Sequence, residues 1–103
     1  MQTFLKKRIE IMVEAPLVAR VLALLDERNV TGYTVLPAIA GRGRGGSWHR
    51  DGLVGQAGAV VQIVSIVDES RVDEVLEPLF ALVSRQIGIV SVCDVQVIRR
   101  DHF

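Results

Sequence analysis

The stretch that most restricts the fold is Ala59 to Val67, AVVQIVSIV, apolar everywhere except Gln62 and Ser65 and rich in β-branched side chains. Branched side chains lose rotamer freedom in a helix and pack well on a pleated surface, so this run predicts a strand. Successive strand residues point to opposite faces. Val61, Ile63, Ser65 and Val67 therefore share one face, and Val60, Gln62, Val64 and Ile66 the other. Both faces are mostly apolar, as in a central strand covered on each side. A chain of 103 residues fits one domain with a modest core, and its remaining segments must supply the neighbours and the cover.

Lys7 to Val13 places Ile9, Ile11 and Val13 at period two, a second strand signal. Glu14-Ala15-Pro16 ends it, and Pro16 suits the first turn of a helix. From Leu17 to Arg28, apolar residues recur at spacings of three and four (Leu17, Val18, Val21, Leu22, Leu24, Leu25), which predicts an amphipathic helix. Asn29 suits a left-handed cap after it. Gly32 to Pro37 is a further extended run. After the central strand, Ser70 is placed to cap a helix with Asp73 and Glu74 in its first turn. Val72, Val75, Leu76, Leu79, Phe80, Leu82 and Val83 form that helix's buried face, and Pro78 predicts a bend. Ile87 to Ile98 returns to strand, with Gly88 near its start.

The order β-α-β-loop-β-α-β, with right-handed crossovers, predicts an α+β, ferredoxin-like βαββαβ fold. Residues 1–103 then form a single domain: a four-stranded antiparallel sheet with two helices on one face. The other face is left without helices, and its apolar character predicts that the sheet lines the inside of an oligomer.

Charge is balanced at twelve cationic and twelve anionic side chains, which points away from nucleic acid and from a membrane surface. No signal-peptide core and no apolar run of about 20 residues is present, so a soluble, cytoplasmic protein is expected. The lone Cys93 cannot form an internal disulfide, which fits a reducing compartment, and its place in a strand predicts a buried small apolar residue. Paired carboxylates, a Ser/His/Asp set and a metal-ligand spacing are all missing, so no enzyme activity is expected. The two histidines, His49 and His102, are remote in sequence and would need Asp51 or Asp101 to make a metal site; surface histidines are the plainer account. Lys6-Lys7-Arg8 reads as a solvated strand end, within reach of phosphate if it lies at a subunit boundary.

Arg42 to Gly58 has no sustained apolar period and reads as a long loop, of the kind that is usually functional or disordered. It is entered through Gly41-Arg42-Gly43-Arg44-Gly45-Gly46. Glycine lets successive backbone N–H groups face an anion, and arginine adds a planar fork that grips phosphate bidentately. An anion-binding loop is one reading; a solvated linker and an RNA-binding Gly/Arg segment are the others. Trp48, in the same loop, suits a partner contact or a fold-back onto a ligand cleft, with local packing as a rival.

Val30-Thr31-Gly32-Tyr33-Thr34-Val35 followed by Gly41-Arg42-Gly43-Arg44-Gly45-Gly46 resembles the PII signalling proteins, in which a similar strand leads into a G-x-G-R segment at the base of the long T-loop. Ile89 to Arg100, with Asp94 near the middle, is similar to the last PII strand, which ends in basic residues. The resemblance spans essentially the whole chain. It implies a homotrimer holding ATP, ADP or AMP in clefts between subunits, with a T-loop over about residues 40–58 that binds a target protein. Gly41, Gly43 and Arg44, with neighbouring Arg42 and Gly45, would meet phosphate. Thr34 and Ser65 would lie near the adenine, with Tyr33 at a hydrophobic position beside the base. Gly88 would correspond to a glycine of the short B-loop, and Arg99 and Arg100 to basic residues reaching phosphate from the other subunit. No further cofactor is implied.

Where PII proteins follow the G-x-G-R segment with glutamine and lysine, this chain has Gly45 and Gly46. Ile89 stands where a B-loop lysine is usual, and the only tyrosine, Tyr33, precedes the loop. These departures argue against 2-oxoglutarate sensing and uridylylation, and they favour ADP or AMP over ATP. Gly88-Ile89-Val90-Ser91-Val92-Cys93 is more similar to PII-like branches linked to inorganic carbon. That likeness implies bicarbonate as a second ligand and a transporter or carboxysome component as the target. A metal-responsive trimer of the same fold, as in the copper-tolerance proteins, is the alternative.

Overall fold

The computed structural model describes residues 1–43, 45–52 and 58–103. Its elements are β1 (Phe4–Glu14), α1 (Ala15–Glu27), β2 (Thr34–Pro37), β3 (Ala40–Gly43), β4 (Gly46–His49), β5 (Val60–Val67), α2 (Val72–Val83) and β6 (Gly88–Val97). Short 3-10 turns span Arg50–Gly52 and Glu69–Arg71. Strands β2, β5, β1 and β6 lie side by side in that order, every pair antiparallel, with α1 and α2 on one face: the ferredoxin-like arrangement.

The core follows from two periodicities meeting. Ile9, Ile11 and Val13 alternate toward the helices, opposite Ser65, Ile63 and Val61 of β5. The helices answer with residues one turn apart, Leu17, Val21 and Leu25 from α1 and Val75, Leu79 and Val83 from α2, all buried. Pro16 sits in the first turn of α1, and Asn29, at φ 57°, takes the left-handed conformation after its end. The loop after α1 is pinned by Arg71, which donates to the carbonyls of Arg28 and Asn29.

Several expectations change. Ser70 lies in the 3-10 turn and does not cap α2, which begins at Val72 after Arg71 without a side-chain cap. α2 runs as one helix through Pro78, whose missing N–H cannot reach the Glu74 carbonyl. Cys93 is exposed, because it sits on edge strand β6 opposite Arg8, on the face without helices. That face is mixed: exposed Leu36, Met12 and Ile89 lie in one row across the sheet, beside an Arg8–Glu10 ion pair of 3.0 Å. The segment read as a loop from Arg42 to Gly58 overlaps the β3–β4 hairpin, which starts at Ala40 and in which Gly43 pairs with Gly46 and Ala40 with His49. Among the described residues, no helix is long and apolar enough to cross a membrane.

Candidate functional site

The sheet brings some of the expected site residues together and keeps others apart. A shallow depression of about 440 Å³ lies where β2 begins and β5 ends, and its lining includes Tyr33, Thr34, Ser65, Arg99, His102 and Phe103. Four of these were expected from sequence. Thr34 pairs with Val64 of β5, which sets it beside Ser65. The Ser65 side chain is buried and donates to the Gly32 carbonyl at 2.7 Å, tying the approach to β2 onto the end of β5. Its hydroxyl hydrogen is thereby committed to the chain itself. Tyr33 donates to Asp26 at 3.1 Å, and that hydrogen bond holds the phenol above its ordinary pKa.

The far wall comes from residues that follow β6. Thr31 Oγ1 donates to the His102 carbonyl at 2.6 Å, and the Asp68 N–H donates to the Phe103 carbonyl at 3.1 Å. Residues 99–103 therefore cross from the end of β6 back over the start of β1 and form a strap. The Arg99 guanidinium lies 5.5 Å from the Phe103 ring centre and the Lys6 ammonium 5.4 Å from it, within cation–π range. Arg100 turns away from the depression and sits 5.1 Å from the Phe4 ring. Thr31, Gly32, His102 and Phe103 were not expected here. The dipeptide His102-Phe103 carries no periodicity, and only tertiary hydrogen bonds bring it to the site.

Electrostatics separate the cations. Lys6 is buried and pairs with Asp68, Lys7 pairs with Asp94 and, at 3.8 Å, with Glu69, and Arg8 pairs with Glu10. The Asp94 hydrogen bond chiefly raises the Lys7 pKa, against a smaller opposing effect of desolvation. The run read as a solvated strand end is instead neutralised within the fold. Among the described residues, Arg42, Arg99 and Arg100 make no ion pair, so their charge remains available to an anion.

The glycine-rich segment stands beyond the other end of β2, about 10 Å along the strand from Thr34. Gly41 faces Trp48 so closely that a Cβ there would lie 3.0 Å from the indole nitrogen, and Arg42 Nε donates to Ser47 Oγ at 3.0 Å. The half-buried Trp48 is thus accounted for by local packing within the hairpin. Arg44 lies outside the described residues, as does the part of the expected loop over residues 53–57. Gly45 is exposed at the turn.

Gly88 belongs to neither group. It opens β6 opposite Val13, and a Cβ there would come within 2.8 Å of Val83 and 2.9 Å of the Met12 carbonyl. It also lines a largely apolar groove of about 410 Å³ between α2 and β6. With β6 ten residues long, Gly88 stands about 30 Å along the strand from the strap. Among the described residues, no group of three His, Cys, Asp or Glu side chains is placed to hold a metal ion.

The family model for nitrogen regulatory protein P-II matches residues 6–102. Among solved structures, the chain is similar to CPII, a nitrogen regulatory PII-like protein from Thiomonas intermedia bound to ADP, AMP and bicarbonate. The two share 28% identity over 95% of this chain and 92% of that one, with a TM-score of 0.84. The apo form of CPII is 26% identical, covering 93% of this chain and 95% of that one at a TM-score of 0.73. A PII-like signaling protein from Thermus thermophilus is also 26% identical, covering 95% and 94% at a TM-score of 0.77. No curated protein matches the chain.

Proposed function

The chain belongs to the nitrogen regulatory protein P-II family, and we propose that it is a nucleotide-reading regulator working as a homotrimer in the cytoplasm. The observation that carries the reading is the depression in which Tyr33, Thr34, Ser65 and Arg99 meet. It offers apolar lining from Val64 and Ile66, a hydroxyl at Thr34 and, at Arg99, a cation with no ion-pair partner among the described residues. Those are the groups that would hold a base at one end and a phosphate at the other. Support also comes from CPII, similar over nearly the whole chain, which was solved with ADP, AMP and bicarbonate.

In this reading ADP or AMP occupies the depression, and ATP binds less tightly because Gly45, Gly46 and Ile89 supply no charge for a third phosphate. Gly88 and Arg99 lie at opposite ends of β6 in one chain, so a site using both would need two subunits. The trimer would bury the mixed sheet face and bring Gly41, Arg42, Gly43, Arg44 and Gly45 of one copy, with Gly88, toward the phosphates. Arg99 and Arg100 would come from the next copy. Arg42 and Arg44 would also receive bicarbonate. The T-loop, about residues 40–58, would carry the signal to a transporter or a carboxysome-related protein in inorganic carbon metabolism. The protein turns over no substrate and enters no membrane.

Calorimetry with ADP, AMP and ATP, with and without bicarbonate, tests the ligand half, and light scattering tests the assembly. Saturable ADP binding by a trimer supports the reading. A stable monomer at micromolar concentration, or no heat with any adenine nucleotide, overturns it.

A further inference from the structure

We propose that Phe103 is a positioning residue for the anion ligand, acting through Arg99. This rests on the nucleotide reading above and adds to it a residue whose side chain carries no charge.

Two cations approach the Phe103 ring at similar distances, Lys6 at 5.4 Å and Arg99 at 5.5 Å, yet their circumstances differ. Lys6 is 7% exposed and neutralised by Asp68. Arg99 has no ion-pair partner among the described residues and lines the depression. The ring is therefore anchored on its Lys6 side to a closed ion pair and offers its remaining attraction to Arg99, the one of its two cations still open to a ligand. An arginine otherwise free to sample many rotamers is held at the rim before the ligand arrives, which lowers the ordering cost of binding.

The backbone supports this role. His102 adopts φ 77°, the left-handed region that non-glycine residues seldom occupy. The carbonyls of His102 and Phe103 are both taken by hydrogen bonds from distant segments, Thr31 and Asp68. The strained turn is held from two sides, and it points Phe103 back across the sheet end to meet Lys6 and Arg99. With Arg99 over it, the ring is committed to a cation, which argues against its use as a stacking platform for the base.

The test compares F103Y, which keeps the ring, with F103L, which keeps apolar cover over Lys6 but loses the ring. ADP and the uncharged nucleoside adenosine are titrated by calorimetry into wild type and both variants. Loss of a cation–π contact corresponds to about three- to five-fold weaker ADP binding in F103L. Adenosine affinity should stay the same, and F103Y should match wild type for both ligands. In an R99A background, F103L should cause no further loss. Unchanged ADP affinity in F103L would overturn the proposal, as would equal weakening of ADP and adenosine, since that means Phe103 shapes the depression or meets the base directly. Failure of wild type to bind ADP at all would overturn both this inference and the nucleotide reading; binding by wild type with no difference among the variants would overturn this inference alone.

Discussion

The two ends of the sheet are built on different plans. At the end that carries the depression, the backbone is tied mainly by residues far apart in the chain: Thr31 to His102, Gly32 to Ser65, Lys6 to Asp68 and Asp68 to Phe103. At the other end, the β3–β4 hairpin is held mainly by neighbours, Arg42 to Ser47 and Gly41 to Trp48. Its base is closed by Arg50, which donates to the carbonyls of Ile39 and Ala38 at 2.7 and 3.1 Å, and Ala38 joins it to the body by donating to Val60 at 3.0 Å. The first plan makes a pocket wall that cannot move without opening the fold. The second makes an appendage whose internal order is nearly independent of the body. A protein that must hold a ligand in one place and present a surface in another is served by that division.

The comparison can be broken most forcefully at Asp68. Replacing it with alanine leaves the buried Lys6 ammonium without its partner and should cost about 2–3 kcal/mol of global stability, below the range for fully buried pairs because Asp68 is partly in solvent. Chemical denaturation followed by circular dichroism measures this. A loss under about 0.5 kcal/mol would show that the strap end is no more integral than the hairpin.

Next in size is Arg99→Ala. ADP binding should weaken by about 1.5–2 kcal/mol, the lower part of the range for hydrogen bonds to charged groups, with the unfolding midpoint unchanged. Calorimetry that finds wild-type affinity would move the phosphate site away from the depression. Trp48→Ala should then cost less than about 0.5 kcal/mol of global stability, because its packing is confined to the hairpin. It should speed proteolysis within the hairpin while leaving the core resistant. A large drop in the denaturation midpoint would mean that the hairpin is tied into the body after all.

The smallest effect is spectroscopic. Tyr33 is the only tyrosine, so its ionisation can be followed alone by ultraviolet absorbance. Its folded pKa is raised, so the stabilisation from the Asp26 hydrogen bond is fully present below the ordinary tyrosine pKa of about 10 and is lost as pH rises through the folded value. The titration midpoint should fall in Asp26→Ala. An unchanged midpoint would show that the rim of the depression is looser than its hydrogen bonds imply.

The sequence made one of these plans much more visible than the other. Strands β1 and β5 and both helices announce themselves because burial imposes a period of two or 3.6 on their apolar residues. The hairpin could not be seen that way: Ala40–Gly43 and Gly46–His49 stand away from the core, so no apolar alternation is imposed on them. Tyr33, Thr34, Ser65 and Arg99 were expected from likeness to a family, and the structure brings those four to one depression. Phe103 and Thr31 were missed because hydrogen bonds to Asp68 and His102, more than thirty positions away, are what place them at the depression. Cys93 was misjudged for a related reason. A strand's apolar pattern does not say which face the helices will cover.

One further consequence follows from where β1 sits. It lies between β5 and β6, with Lys7 opposite Val67 and Phe4 opposite Val97. β1 is thus an interior strand whose sheet partners, β5 and β6, are both made well after it. Until they appear, Ile9, Ile11 and Val13 have only α1 to cover them, and both edges of β1 carry unpaired backbone groups. Loop closure over such separations is slow, so the sheet should assemble only once β6 has been made, in one cooperative step. A chain stalled before Val60 has no partner for β1, and it is then that this protein is most prone to pair with another copy of itself.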